Sequence, residues 1–116
     1  MTETNYFAVP GTRPSLISVI EERFGLDPGT IGMKTRKREW VKPRYLYFYL
    51  VRESLGATLS YQQIADKING CGHTFAHCTV IHGIKTCERD MATDRTLKMI
   101  YKELKTKIQN DEIIII

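Results

Sequence analysis

The chain is 116 residues long, 42% hydrophobic and 26% charged, which predicts one globular domain with a core large enough to need no disulfide or metal staple. Its net charge of +4 is unevenly placed: residues 34–44 hold six basic side chains (Lys34, Arg36, Lys37, Arg38, Lys42 and Arg44) and one acid, Glu39, while the other 105 residues hold eleven basic and twelve acidic ones. A near-neutral body with one basic patch fits a polyanion partner, nucleic acid first, or a solvated loop with no partner, whereas a membrane span of roughly 20 apolar residues, a secretory leader and a Gly-rich nucleotide loop all lack their signatures.

Residues 1–14 read as an N-terminal extension, of which 1–5 are polar and expected to fray. Ser15 is placed to cap a helix with an apolar face of Leu16, Ile17, Ile20 and Phe24, and Gly25 stops it. Asp27-Pro28 then opens a short helical turn toward Ile31. Residues 33–41 are expected to form a loop carrying the basic run, and Pro43 to start the next helix. That helix runs through Leu46, Tyr49 and Leu50 to Gly56 and is apolar on several faces, the pattern of a central buried helix. Ser60-Tyr61-Gln62-Gln63 is a capping-box pattern that leads into Ile64, Ala65 and Ile68, with Asn69-Gly70 as the stop. Gly70, Gly72 and His73 form a turn. Val80, Ile81 and Ile84 predict a helix over 77–89, and Thr93-Asp94 caps a last helix with Leu97, Ile100, Tyr101, Leu104 and Ile108 on one stripe. Residues 110–116 are a C-terminal tail ending in four isoleucines, a run that favours strand pairing or burial against a neighbour. No stretch alternates with period two. The expectation is an all-α, compact helical domain over 1–116, with its core at 15–109.

The 60–69 and 77–89 segments, joined by a short Gly-containing connection, form a helix-turn-helix pattern at about 60–89. The second helix carries His77, Thr79, His82, Lys85, Thr86 and Arg89, side chains able to bond base edges or phosphates.

Three segments resemble the C-terminal DNA-binding domain of DnaA, the bacterial chromosomal replication initiator. The first is the basic run ending in Lys42-Pro43-Arg44 and continuing into Tyr49-Leu50-Val51-Arg52-Glu53. The second is Leu59-Ser60-Tyr61-Gln62-Gln63-Ile64-Ala65. The third is His77-Cys78-Thr79-Val80-Ile81-His82-Gly83, similar to the Asp-His-Thr-Thr-Val-Leu-His signature that opens the family's recognition helix. The resemblance implies a DnaA-like or Trp-repressor-like helix-turn-helix, with a recognition helix in the major groove and a basic loop in an adjacent minor groove. By position it implies that Arg36 enters the minor groove, that Arg44 holds phosphate, and that His77 and Thr79 face the major groove, with Lys85 about two turns on. Arginine suits a narrow, negative minor groove, and a Thr methyl can meet a thymine methyl. Ala76 stands where the family has Asp, Cys78 where it has Thr, and Phe75 where it is often basic or polar. The turn from Asn69 to Ala76 is also longer, so the family's usual target site need not carry over.

Other readings of the same residues are weighed beside this one. Cys71, His73, His77, Cys78 and His82 could suggest zinc, but their spacing is not that of a standard finger and adjacent helical residues diverge by about 100°. A catalytic Cys78–His82 pair lacks an orienting carboxylate and oxyanion donors. Tyr45, Tyr47, Phe48 and Tyr49 suit an interior helix with hydroxyls reaching the surface better than a single-strand stacking platform. Trp40 anchors the basic loop or meets DNA.

The expectation is a stand-alone, non-enzymatic, cofactor-free module that binds double-stranded DNA in a bacterial cytoplasm, associated with the nucleoid and with replication or transcription. Its DNA-binding residues would be Lys34, Arg36, Lys37, Arg38, Lys42, Arg44, His77, Cys78, Thr79, His82 and Lys85. The last helix or the Ile tail would be the surface for a homodimer or a protein partner. Two alternatives remain open: a protein-interaction module on the same fold, and an RNA or single-strand binder.

Overall fold

The computed structural model describes residues 13–27, 31, 38–66, 68 and 76–115, and the side chains of all of these except 38–40 and 57. Five helices follow in order: α1 (Leu16–Arg23), α2 (Arg38–Leu55), α3 (Tyr61–Asp66), α4 (His77–Met91) and α5 (Arg95–Gln109), with a 3₁₀ turn at Gly56–Thr58 after α2. The all-α expectation holds for these residues, whose one β-type feature is a single bridge.

Local hydrogen bonds set most of the boundaries. The Ser15 Oγ accepts the Ser18 amide at 3.2 Å and starts α1, and Gly25, at φ +72°, takes the left-handed conformation that closes it. The capping box at α3 forms as read: the Gln63 amide donates to Ser60 Oγ at 3.1 Å and the Ser60 amide to Gln63 Oε1 at 2.8 Å. Asp94 caps α5 by accepting the Leu97 amide at 3.0 Å.

Two boundaries differ from expectation. Pro43 does not start α2 but lies inside it, and residues 38–41, expected in a loop, are already helical. Proline forfeits one intrahelical bond and crowds the preceding turn. Here that turn is tied down from outside by an ion pair between Lys42 and Asp94, the cap of α5. α4 extends beyond the expected 89 to Met91, while the residue after Asp66 of α3 lies outside the described residues. The turns expected at 28–30 and at 69–73 lie outside the described residues.

α2 is the central helix. It packs against α1, α3, α4 and α5, and its Leu46, Tyr47, Phe48, Leu50 and Val51 are fully buried. Leu16 and Ile20 of α1, Ile64 and Ala65 of α3, Val80 and Cys87 of α4, and Leu97, Ile100 and Leu104 of α5 close around it. The aromatic cluster is thus largely core. One detail corrects the expectation of surface hydroxyls: the Tyr47 hydroxyl is buried and finds no hydrogen-bond partner among the described residues, and this burial pushes its pKa up. The isoleucine tail turns back onto its own domain. Ile114 pairs in parallel with Ser15, the Leu16 amide donates to Ile114 O at 2.8 Å, and Ile113 is buried.

Candidate nucleic-acid interface

The helix-turn-helix is built on α2. Arg52 near its C-terminal end donates from Nη1 to the carbonyls of Gly56 and Leu59 at 3.2 and 3.1 Å and lies 4.5 Å above the Tyr61 ring. One guanidinium therefore satisfies carbonyls of the α2–α3 connection and holds the first residue of α3 by a cation–π contact. α4 crosses both α2 and α3. Its approach to α2 is close at Gly83, where a Cβ would sit 2.6 Å from Tyr45 Cδ1 and 3.0 Å from Phe48 Cδ2.

With Val80, Gly83, Cys87 and Met91 inward, the opposite face of α4 is exposed. Cys78, His82, Lys85 and Arg89 all lie on it, because residues four, seven and eleven apart share one side of a helix. His77 is exposed at the first turn, while Thr79 and Thr86 are half-buried at the flank. Arg89 is absent from the expected site set, which ends at Lys85; the helical period carries the face one further turn to it. The His82 ring has two neighbours. It stands edge-on to Tyr45 with centroids 5.8 Å apart, and its Nε2 lies 3.4 Å from Thr86 Oγ1.

The basic run divides. Lys34, Arg36 and Lys37 lie outside the described residues, and Arg38 is described as backbone at the start of α2. Lys42, expected to meet DNA, is half-buried and paired with Asp94. Arg44 corrects the sequence reading most. It is 4% exposed, not displayed to a phosphate, and its Nε donates to Ile31 O at 2.8 Å. Glu21, also buried, accepts the Ile31 amide at 3.2 Å. Two buried charges thus grip both polar groups of Ile31, three residues before the basic run begins. Burial lowers the pKa of Arg44, but a guanidinium is not deprotonated in proteins and stays charged.

A family model for the bacterial DnaA protein helix-turn-helix matches residues 14–87. This chain belongs to the DnaA helix-turn-helix family. The DnaA match runs from just before α1 into α4, so α5 and the isoleucine tail lie beyond it. Among curated relatives, the chromosomal replication initiator protein DnaA of Mycoplasma capricolum is 33% identical over 90 residues, which are 78% of this chain and 19% of that protein. The DnaA of Thermomicrobium roseum is 34% identical over 76 residues, 66% of this chain and 15% of that protein. The DnaA of Geotalea uraniireducens is 29% identical over 89 residues, 77% of this chain and 18% of that protein. The chain spans about a fifth of the length of these DnaA relatives. No solved structure matches it.

Within the DnaA frame, Ala76 and Cys78, the departures from the family signature, sit at the N-cap and the first turn of α4. Among the described residues no three His, Cys, Asp or Glu side chains come together as a metal site, and Cys71 and His73 of the weighed zinc cluster lie outside them. Cys78 is exposed, whereas burial, with Asp90 and Glu88 nearby, pushes the Cys87 thiol up to about 12 and leaves it inert. No described helix is long and apolar enough to cross a membrane.

Proposed function

We propose that this chain binds double-stranded DNA with sequence preference, inserting α4 into the major groove and its 34–38 basic segment into the adjacent minor groove. The observation that carries the reading is the exposed face of α4. Cys78, His82, Lys85 and Arg89 form a continuous polar and basic stripe, backed by a close helix–helix contact that holds it in one orientation. Such a helix fits the major groove, and its side chains match base edges and phosphates. Lys34, Arg36, Lys37 and Arg38 supply phosphate affinity and minor-groove contact. Arg44 and Lys42 take a different part: they anchor the two ends of the basic segment, one through Ile31 and one through Asp94. The membership of the chain in the DnaA helix-turn-helix family supports a role in replication.

The test begins with selection of bound sequences from a random duplex pool, followed by anisotropy titration on the selected and a random duplex. Thr79→Ala is expected to cost roughly 1–3 kcal/mol on the selected duplex and little on the random one. Equal losses on both refute the assignment of α4 to base reading. Absence of binding to random duplex near about 50 mM salt favours a protein-interaction module, and preferential competition by single strands favours RNA or single-strand binding.

A further inference from the structure

Four helices can be compared at their N-termini, and one is built differently. In α1, α3 and α5 the residue before the helix (Ser15, Ser60, Asp94) accepts the amide of the third helical residue on its side chain. In each, the backbone carbonyl of that cap takes the amide of the fourth. α4 has Ala76 at this position and no side-chain cap. The Thr79 amide falls back on Ala76 O at 3.0 Å, a tighter turn of 3₁₀ type. A different amide of this first turn, that of His77, finds its acceptor on another element. Gln62 of α3 reaches across and takes the His77 amide on Oε1 at 3.1 Å, while its Nε2 donates to Asp66 Oδ1 at 3.0 Å. The bond to Asp66, which can only accept, orients the carboxamide with its oxygen toward α4.

We infer that Gln62 is a positioning residue for base reading: its carboxamide caps α4 from α3 and fixes the direction in which His77 and Thr79 leave the first helical turn. The inference rests on the proposed insertion of α4 into DNA. Its physical basis is that an uncapped first turn frays, and a frayed turn spreads the directions of its side chains. Gln62 and His77 are both exposed, so the bond contributes little to core stability. It determines instead how α3 and α4 are joined at the surface that faces the groove.

The test uses Gln62→Met, which keeps the length and removes the acceptor, with Ala76→Ser as the rescue. Serine at 76 can take the Thr79 amide as Ser15 takes that of Ser18. In free protein, Gln62→Met is expected to shift the His77 amide resonance and speed its hydrogen exchange, with the thermal midpoint lowered by only a few degrees. The preference for the selected duplex over random duplex is expected to fall about fivefold, the scale of one lost capping interaction, and to return in the Gln62→Met/Ala76→Ser double variant. A His77 amide and a preference both unchanged in Gln62→Met overturn the inference and leave DNA reading intact. So does a loss shared equally by both duplexes, or one that serine at 76 fails to restore. A wild-type chain that binds both duplexes equally overturns the DNA reading itself, and the positioning role with it.

Discussion

Gly83→Ala is a test of the helix contact that orients α4, because two effects of opposite sign meet there. In an exposed helix interior, alanine is favoured over glycine by about 1 kcal/mol. At position 83 the added methyl would sit 2.6 Å from Tyr45 Cδ1, 3.0 Å from Phe48 Cδ2 and 3.1 Å from Tyr45 Cε1. Phe48 is fully buried and has no room to withdraw. The Tyr45 ring is stacked on Phe48 at 6.4 Å and meets the His82 ring at 5.8 Å, so its retreat disturbs both neighbours. Overpacking of this kind costs about 1–3 kcal/mol, which outweighs the helix-propensity gain and leaves a net loss of about 1 kcal/mol. Urea unfolding followed by circular dichroism is expected to show a lower midpoint at unchanged slope, with a fall in Tm of roughly 3–5 °C. Gly83→Ala combined with Tyr45→Ala is expected to lose less than the sum of the two single losses, since the double variant removes the clash. A stabilised Gly83→Ala would refute the reasoning, because it would mean that α2 and α4 do not approach closely at this point.

Arg44→Met is expected to lower stability by about 2 kcal/mol, the order of a buried hydrogen bond from a charged donor, while leaving the salt dependence of DNA binding unchanged. Lys37→Ala, by contrast, should leave the melting curve unchanged and reduce the log–log salt slope by about one. A reduced slope with normal melting in Arg44→Met would return Arg44 to the phosphate backbone. The Asp94 carboxylate is held below its usual range by its hydrogen bond from Lys42 and by the Leu97 amide. A depressed native pKa contributes stability that is present above about pH 4 and is lost as pH falls through the native value, so Asp94→Asn should flatten the wild-type decline of the urea midpoint below about pH 4. In a Cys71→Ser background, a maleimide should label Cys78 rapidly and Cys87 only on unfolding, and bound duplex should protect Cys78. Unprotected Cys78 in a saturated complex would place the α4 face away from DNA.

Features written within four residues of one another were legible in the sequence. Ser15, the Ser60/Gln63 pair and Asp94 cap the helices they were expected to cap, because donor and acceptor are neighbours along the chain. The apolar stripe of α5 and the buried character of α2 follow from helical periodicity alone. Arg89 was recoverable from the same periodicity, and so was the inward direction of Gly83. The start of α2 was misread because Pro43 is a strong local signal for a helix start, and the pairing that secures the turn before it spans 52 positions.

The sequence by itself therefore determined the helices, the family and the exposed polar face of α4, all of which depend on near neighbours and on period. Tertiary structure decided which charges remain available. Arg44 and Ile31 are 13 positions apart, Lys42 and Asp94 are 52 apart, and Gln62 and His77 are 15 apart. A basic residue in a run looks like its neighbours until the fold supplies, or withholds, a partner from elsewhere in the chain. Of the six cations in residues 34–44, the fold turns Arg44 inward and pairs Lys42 with Asp94.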